Sequence, residues 1–207
     1  MYKKAYLAKV LLIVTVMLLA ACSKTAQLPL LSSDATVLAF GDSLTAGTGA
    51  GEAESYPAVL SALTGLRVIN AGVPGEVSGS GLLRLPELLD RERPSLLILC
   101  HGGNDLLGHA GHQLIADNLR TMIRLAMERG IPVLLIAVPS PDLSLTPPRL
   151  YADLAKEFTI PVEVKALPHI LAKGTLKSDY IHPNAAGYRM LAEALVDLLK
   201  KSGALPR

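Results

Sequence analysis

Five short apolar segments, TVLAF (36–40), RVINA (67–71), SLLILC (95–100), PVLLIAV (132–138) and the weaker IPVEV (160–164), recur along this chain with stretches of helical spacing between them. Their hydrophobicity is continuous rather than alternating, as strands buried on both faces require. The stretches between them, residues 54–65, 81–91, 112–129 and 148–157, and a last one over 184–201, place apolar side chains at helical intervals. Strands alternating with helices imply βαβ units, hence an α/β fold: a three-layer α/β/α sandwich around a five-stranded parallel sheet. In such sheets ligands bind at the carboxyl ends of the strands, so polar clusters that directly follow an apolar segment are the candidate sites. A chain of 207 residues, half of them apolar, is enough for one such domain, expected over 36–203.

The first 21 residues have a different design. Lys3, Lys4 and Lys9 precede an apolar run from Val10 to Ala21, and Cys22 follows at once. A basic start, an apolar middle and small residues before a cut are the build of a secretory signal. As a helix the run spans roughly 18 Å, short of the ~30 Å hydrocarbon core, which argues for removal rather than a stable transmembrane span. LAAC at 19–22 resembles the bacterial lipobox, which implies that Cys22 becomes the lipid-bearing first residue of an exported, membrane-anchored protein facing the periplasm or cell exterior. Ser23 after that cysteine resembles outer-membrane sorting. Residues 22–35 then read as a turn-rich tether. Removing the leader takes three lysines and no acid from 20 basic and 18 acidic residues, leaving a formal charge of −1. No basic run remains to suggest nucleic acid as a partner. Cys100 would be the one remaining thiol, at the end of an apolar run where a buried structural cysteine is expected and no disulfide is.

Three polar clusters follow apolar segments and a fourth precedes the last helical stretch. In the first, VLAFGDSLTAGTGAG, Ser43 reads either as a helix cap or as a nucleophile. Gly47, Gly49 and Gly51 lack the G-x-G-x-x-G spacing and run into Glu52 and Glu54, which excludes a dinucleotide site there. In the second, NAGVPGEVSGSG, Gly72 and Gly75 form either a tight loop or a backbone N–H turned to an anion. The third, CHGGNDLLGHAGH, offers Asn104 as a side-chain donor for a developing oxyanion, though Asn and Asp105 are also ordinary turn residues. In the fourth, SDYIHPNAAGY, Asp179 and His182 stand three residues apart before the last helix. That spacing lets the carboxylate reach the imidazole and supplies the base that a serine nucleophile needs; a cap beside a surface histidine is the competing reading.

Together, in this order, these clusters resemble the SGNH hydrolases, also called the GDSL esterase/lipase family: GDSL stands at 41–44, GGND at 102–105 and DYIHP at 179–183. The chain contains no G-x-S-x-G, the nucleophile motif of the α/β-hydrolases. The resemblance covers Thr36 to about Lys200, and NAGVPGEVSGSGLLRLPELL and LAKEF are similar to the multifunctional bacterial thioesterase I, lysophospholipase L1 and arylesterase branch. It implies a flavodoxin-like sandwich with no metal or cofactor. It also implies Ser43 as nucleophile, His182 as base, Asp179 as the group that orients it, and an oxyanion hole from the N–H groups of Ser43 and Gly75 with the Asn104 amide. Gly72 is the weaker match for the loop glycine. Asp42 is expected to be structural, bonding backbone N–H groups around the nucleophile turn, because neighbours at a strand end point apart. His109 and His112 have ligand-like spacing but no evident third ligand, and His101 reads as a satisfied histidine near the sheet edge.

An acyl pocket is expected from Leu106 and Leu107, which follow the third cluster, and from the proline-rich loop 139–150 beginning at Pro139. With no Trp and two Phe, the chain is poorly supplied with the aromatic faces on which sugar rings stack. The substrate expected is therefore a small acyl ester, thioester or lysophospholipid, handled by a monomer. A carbohydrate O-acetyl esterase and a catalytically silent, anchored acyl- or cell-wall-binding lipoprotein are the alternatives.

Overall fold

The computed structural model describes residues 26–206. The expected leader over 1–21 and the lipidation site at Cys22 lie outside these residues. Strands β1 (Thr36–Gly41), β2 (Arg67–Gly72), β3 (Leu96–Cys100), β4 (Val133–Ile136) and β5 (Val162–Glu163) form one parallel sheet in the order β2-β1-β3-β4-β5. The helices are α1 (Ser43–Ala46), α2 (Tyr56–Thr64), α3 (Ser78–Glu92), α4 (Gly103–Leu107), α5 (His112–Glu128), α6 (Arg149–Phe158), α7 (Ala166–Leu171) and α8 (Ala185–Lys201). Helix α8 packs with α2 and α7, while α5 packs with α3 and α6, so two helical layers flank the sheet. No helix among the described residues is long and apolar enough to cross a membrane.

Burial follows strand position. Val37–Phe40, all of β3 and all of β4 are fully buried, as central strands covered on both faces must be. The edge strands β2 and β5 are only half-buried, which is why Arg67, Asn70 and Glu163 fit in them. The expected strand IPVEV pairs only at Val162 and Glu163. There the Glu163 carboxylate accepts the N–H groups of Lys165 (2.7 Å) and Ala166 (2.8 Å) and starts α7 instead of prolonging the strand. Neither α7 nor α4 spans two helical turns, too little to leave a helical period in the sequence.

The folded body begins earlier than the expected Thr36. Leu28 is buried and its N–H donates to Ser202 O (2.8 Å); the Leu31 N–H donates to Ala204 O (3.0 Å). Residues 28–35 are therefore a strap clasping the carboxyl end of α8, not a free tether, and the body runs on to Leu205 beyond the expected 203.

Trimming Leu28, the larger of the strap's two buried side chains, should be felt throughout the domain. Leu28→Ala is expected to cost about 2 kcal/mol and lower Tm by about 5 °C; thermal denaturation of the soluble body measures it. An unchanged Tm would place the strap outside the cooperative unit.

Candidate active site

Strands β2, β1 and β3 lie side by side, and three of the polar clusters follow them; the fourth precedes α8. Strand β1 stops at Gly41, Asp42 caps α1, and Ser43 is the first residue of that four-residue helix. The turn needs glycine for a spatial reason: a Cβ on Gly41 would overlap the Cys100 carbonyl and the Thr45 hydroxyl. Asp42 is buried, and its Oδ1 accepts the Leu44 N–H (3.1 Å), as expected of a structural residue at this turn. Its Oδ2 has no partner among the described residues. Burial raises the Asp42 carboxyl above the usual carboxylate range, against the pull of His101, the Leu44 N–H and His182.

His182 reaches this turn from the far end of the chain. Its Nε2 lies 3.0 Å from Ser43 Oγ, and its Nδ1 lies 2.7 Å from Asp179 Oδ2. The three-residue spacing works because Asp179 Oδ1 also accepts the N–H groups of Ile181 and His182, both at 2.8 Å, folding 179–182 into one tight turn. Ser178 N–H closes that turn on His182 O (2.9 Å), and Asn184, the cap of α8, anchors it through Thr175 O (3.0 Å). Burial works to raise the Asp179 carboxyl, but the hydrogen bonds from His182 and the two N–H groups outweigh it and hold the group below its ordinary range. A neutral His182 with its proton on Nδ1 donates to Asp179 and leaves Nε2 free to accept from the Ser43 hydroxyl.

Asn104 lines the cleft together with Ser43 and His182, while Gly75 stands on the loop beside Glu76, outside the cleft lining. The backbone N–H groups of Ser43 and Gly75 donate to no acceptor among the described residues. Gly75 has φ 78°, a conformation that suits glycine. Gly72, by contrast, pairs with Gly41 in β2, with the backbone of Thr45 and Ala46 where a Cβ would stand. Asn104 Nδ2 donates one proton to Glu76 O (2.9 Å), which ties it to the Gly75 loop and leaves its second proton to face the cleft.

Glu76, which sequence reasoning passed over, is the hub of this arrangement. Its carboxylate takes Arg84 at 2.7 Å on both oxygens and His101 Nε2 at 3.1 Å. Arg84 Nη2 also donates to Ala71 O (2.9 Å) and Gly41 O (3.2 Å), and its guanidinium lies 4.1 Å from the centre of the Phe40 ring. His101 is fully buried, and its Nδ1 accepts the Gly102 N–H (3.1 Å). It sits at the end of the central strand rather than near the sheet edge, and it is occupied structurally. Asp105 is likewise committed: it accepts the Ser78 N–H (2.7 Å) and hydroxyl (2.6 Å) at the start of α3.

A cleft open to solvent runs from Ser43 and His182 between apolar walls. Leu107 and Pro139 line it as expected; Leu106 does not. Successive helical residues point about 100° apart, so α4 turns Leu106 into the core and Leu107 to the cleft. The loop from Pro139 adds Pro141 and Leu145. Leu44, Val138, Leu171, Tyr180 and Ile181 also line it and were not foreseen. Leu44, Tyr180 and Ile181 adjoin the motif residues in sequence, a signal that could have found them; Leu171 lies on α7, which left none. His109 stands in the loop before α5 and His112 is the first residue of that helix, and no group of three metal-ligating side chains occurs among the described residues.

Known proteins share this architecture. The esterase EstA of Pseudoalteromonas sp. superposes with a TM-score of 0.71 at 24% identity, covering 81% of this chain and 98% of its own, a likeness of fold. Esterase TesA of Pseudomonas aeruginosa is 30% identical over 198 residues, 89% of this chain and 97% of its own. Thioesterase 1/protease 1/lysophospholipase L1 of Escherichia coli K12 is 30% identical over 177 residues, 80% of this chain and 83% of its own. The model of the GDSL-like Lipase/Acylhydrolase family matches residues 39–190, which spans Ser43, Asn104 and His182 alike, and the chain belongs to that family.

Proposed function

We propose that this serine ester hydrolase works through an acyl-enzyme on Ser43, and the observation that carries the reading is His182 held 3.0 Å from Ser43 Oγ and 2.7 Å from Asp179. Ser43 Oγ attacks the acyl carbonyl while its proton passes to His182 Nε2, and Asp179 stabilises the imidazolium that results. The N–H groups of Ser43 and Gly75 and the second proton of the Asn104 amide receive the negative charge that develops on the carbonyl oxygen. When the tetrahedral species collapses, the leaving alcohol takes the proton from His182. Water then attacks the acyl-serine with His182 again as base, releasing the carboxylic acid and restoring Ser43.

The apolar walls of Leu107, Pro139 and Leu145 suit an acyl chain. Carboxylic esters are thus the first substrates to expect, with thioesters and lysophospholipids, the classes in the name of the Escherichia coli relative, as further ones. The reading extends to an exported, monomeric protein held on a membrane by lipid at Cys22, with the LAAC motif and the basic, apolar leader in its support.

Hydrolysis of p-nitrophenyl esters of graded chain length tests this directly. Ser43→Ala should lose at least about 10⁴-fold in kcat, and turnover should peak at the length the cleft holds. Acetylated xylan turned over faster than medium-chain acyl esters would favour the carbohydrate esterase instead.

The two aspartates should separate. Asp179→Asn is expected to lower kcat by about 10²- to 10⁴-fold with the fold intact. Asparagine at 42 could still accept the Leu44 N–H, so Asp42→Ala is the variant that removes the cap; it should cost about 1–2 kcal/mol of stability in thermal denaturation. Equal kcat losses without any change in Tm would remove that division of roles.

Because only neutral His182 accepts the serine proton, kcat/KM should rise with pH as the imidazole deprotonates. Asp179, held below the ordinary carboxylate range, stays ionised above its lowered pKa, so it adds no second acid limb near neutrality. A flat profile from about pH 5 to 9 would exclude His182 as the base.

A further inference from the structure

The strap and the cleft stand at opposite ends of the sheet. Ser43, Asn104 and His182 follow the carboxyl ends of strands or precede α8, whereas Leu28 and Leu31 are bonded to Ser202 and Ala204, just past the carboxyl end of α8. Two rulers give the separation. Helix α8 has 17 residues and a length of about 25 Å, and β1 rises about 17 Å from Thr36 to Gly41, short of Ser43. Cys22 is six peptide steps from Leu28, a reach of about 21 Å even when the chain is drawn out fully.

A cleft facing the bilayer would need the anchored cysteine at the level of the cleft mouth, at least 25 Å or so from the clasp at Ser202. The leash approaches that only when drawn out fully straight, so placing the anchor there would hold the chain taut or peel the strap away, giving up both backbone hydrogen bonds and the burial of Leu28. Lys200 and Lys201, exposed in the last turn of α8, add positive charge at the clasp end and form no ion pair with the described residues. An anionic membrane surface is the partner that suits them.

We propose that the anchored protein stands on its own membrane by the strap end of the fold and opens its cleft to the aqueous side. Its substrates then arrive from solution, as dissolved acyl esters or as monomers that have left a membrane, and esters embedded in the anchoring bilayer stay out of reach. This rests on lipidation of Cys22, and the test separates the two.

The experiment uses the full-length acylated protein in vesicles of phosphatidylcholine and phosphatidylglycerol with nickel-chelating headgroup lipids as quenchers. Cys100 is buried and Cys22 is blocked by lipid, so one added thiol takes the fluorophore: Leu30→Cys in the strap or Leu143→Cys on the cleft loop, both exposed and outside the cleft lining. Quenching at 30 is expected to exceed that at 143 by about threefold or more. Inserting about 20 Gly/Ser residues between Lys24 and Thr25 adds a root-mean-square reach of about 25 Å. In about 1 M salt, where charge attraction is screened within about 3 Å, that insertion should bring the two positions close to equal.

Equal quenching in the unmodified protein, stronger quenching at 143, or no response to the longer leash would each overturn the orientation. Intact mass reports the anchor independently: a protein without lipid on Cys22 overturns the anchored reading and the orientation together, whereas an acylated protein with equal quenching overturns the orientation alone.

Discussion

The catalytic edge depends on how closely β1 ends against its neighbours. Gly41 is in register with Cys100 on one side and Gly72 on the other. A Cβ at Gly41 would meet β3, and a Cβ at Gly72 would meet the backbone of Thr45 and Ala46 in α1. Two glycines side by side therefore let a one-turn helix fold back over the strand ends, with Ser43 as its first residue. Hydrogen-bond reach tolerates little displacement, and shifts near 1 Å are enough to cost a reaction much of its rate. The bare backbone at these two positions sets where Ser43 stands relative to His182.

The loop carrying Gly75 has no regular structure between the end of β2 and the start of α3. Side chains position it instead. One guanidinium, Arg84, bonds the ends of β1 and β2 through Gly41 O and Ala71 O and grips Glu76 at the same time. Taking an ion pair out of water costs solvation, and such a pair holds geometry only where its remaining hydrogen bonds are met. Here they are met, with His101 on the carboxylate and Asn104 on the Glu76 carbonyl. Contacts thus tie the loop, the Asn104 amide and the turn at Ser43 to one another, and in the proposed mechanism donors held in place in this way would act on a developing charge without first reorganising.

The sequence made legible what repeats or what chemistry demands. Strands β1, β3 and β4 were readable because both of their faces are buried, and Ser43, Asp179 and His182 because their motifs are local and ordered. Where a single side chain chose between two local outcomes, the reading failed: the Glu163 carboxylate ends β5 by starting α7, and the helical turn at Leu106 and Leu107 sends one inward and the other to the cleft. Long-range pairings were illegible for a different reason. Nothing near Leu28 in sequence announces that Ser202 lies beside it, and nothing around Glu76 announces the arginine and histidine that hold it. Both are facts of packing between segments far apart in the chain.

Helix α8 connects these two kinds of information. At its start Asn184 accepts the Gly187 N–H and fastens the turn that presents His182; at its end it receives the strap through Ser202 and Ala204. Its buried face, with Tyr188, Leu191, Leu195 and Leu199, packs it along the core between those points. A parallel sheet already assigns ligands to one edge. By clasping the opposite edge, the strap leaves the loops around the cleft free of any fixed attachment. Those loops can then differ in length and side chains without disturbing how the body is held, and the holding segment can change without moving the chemistry.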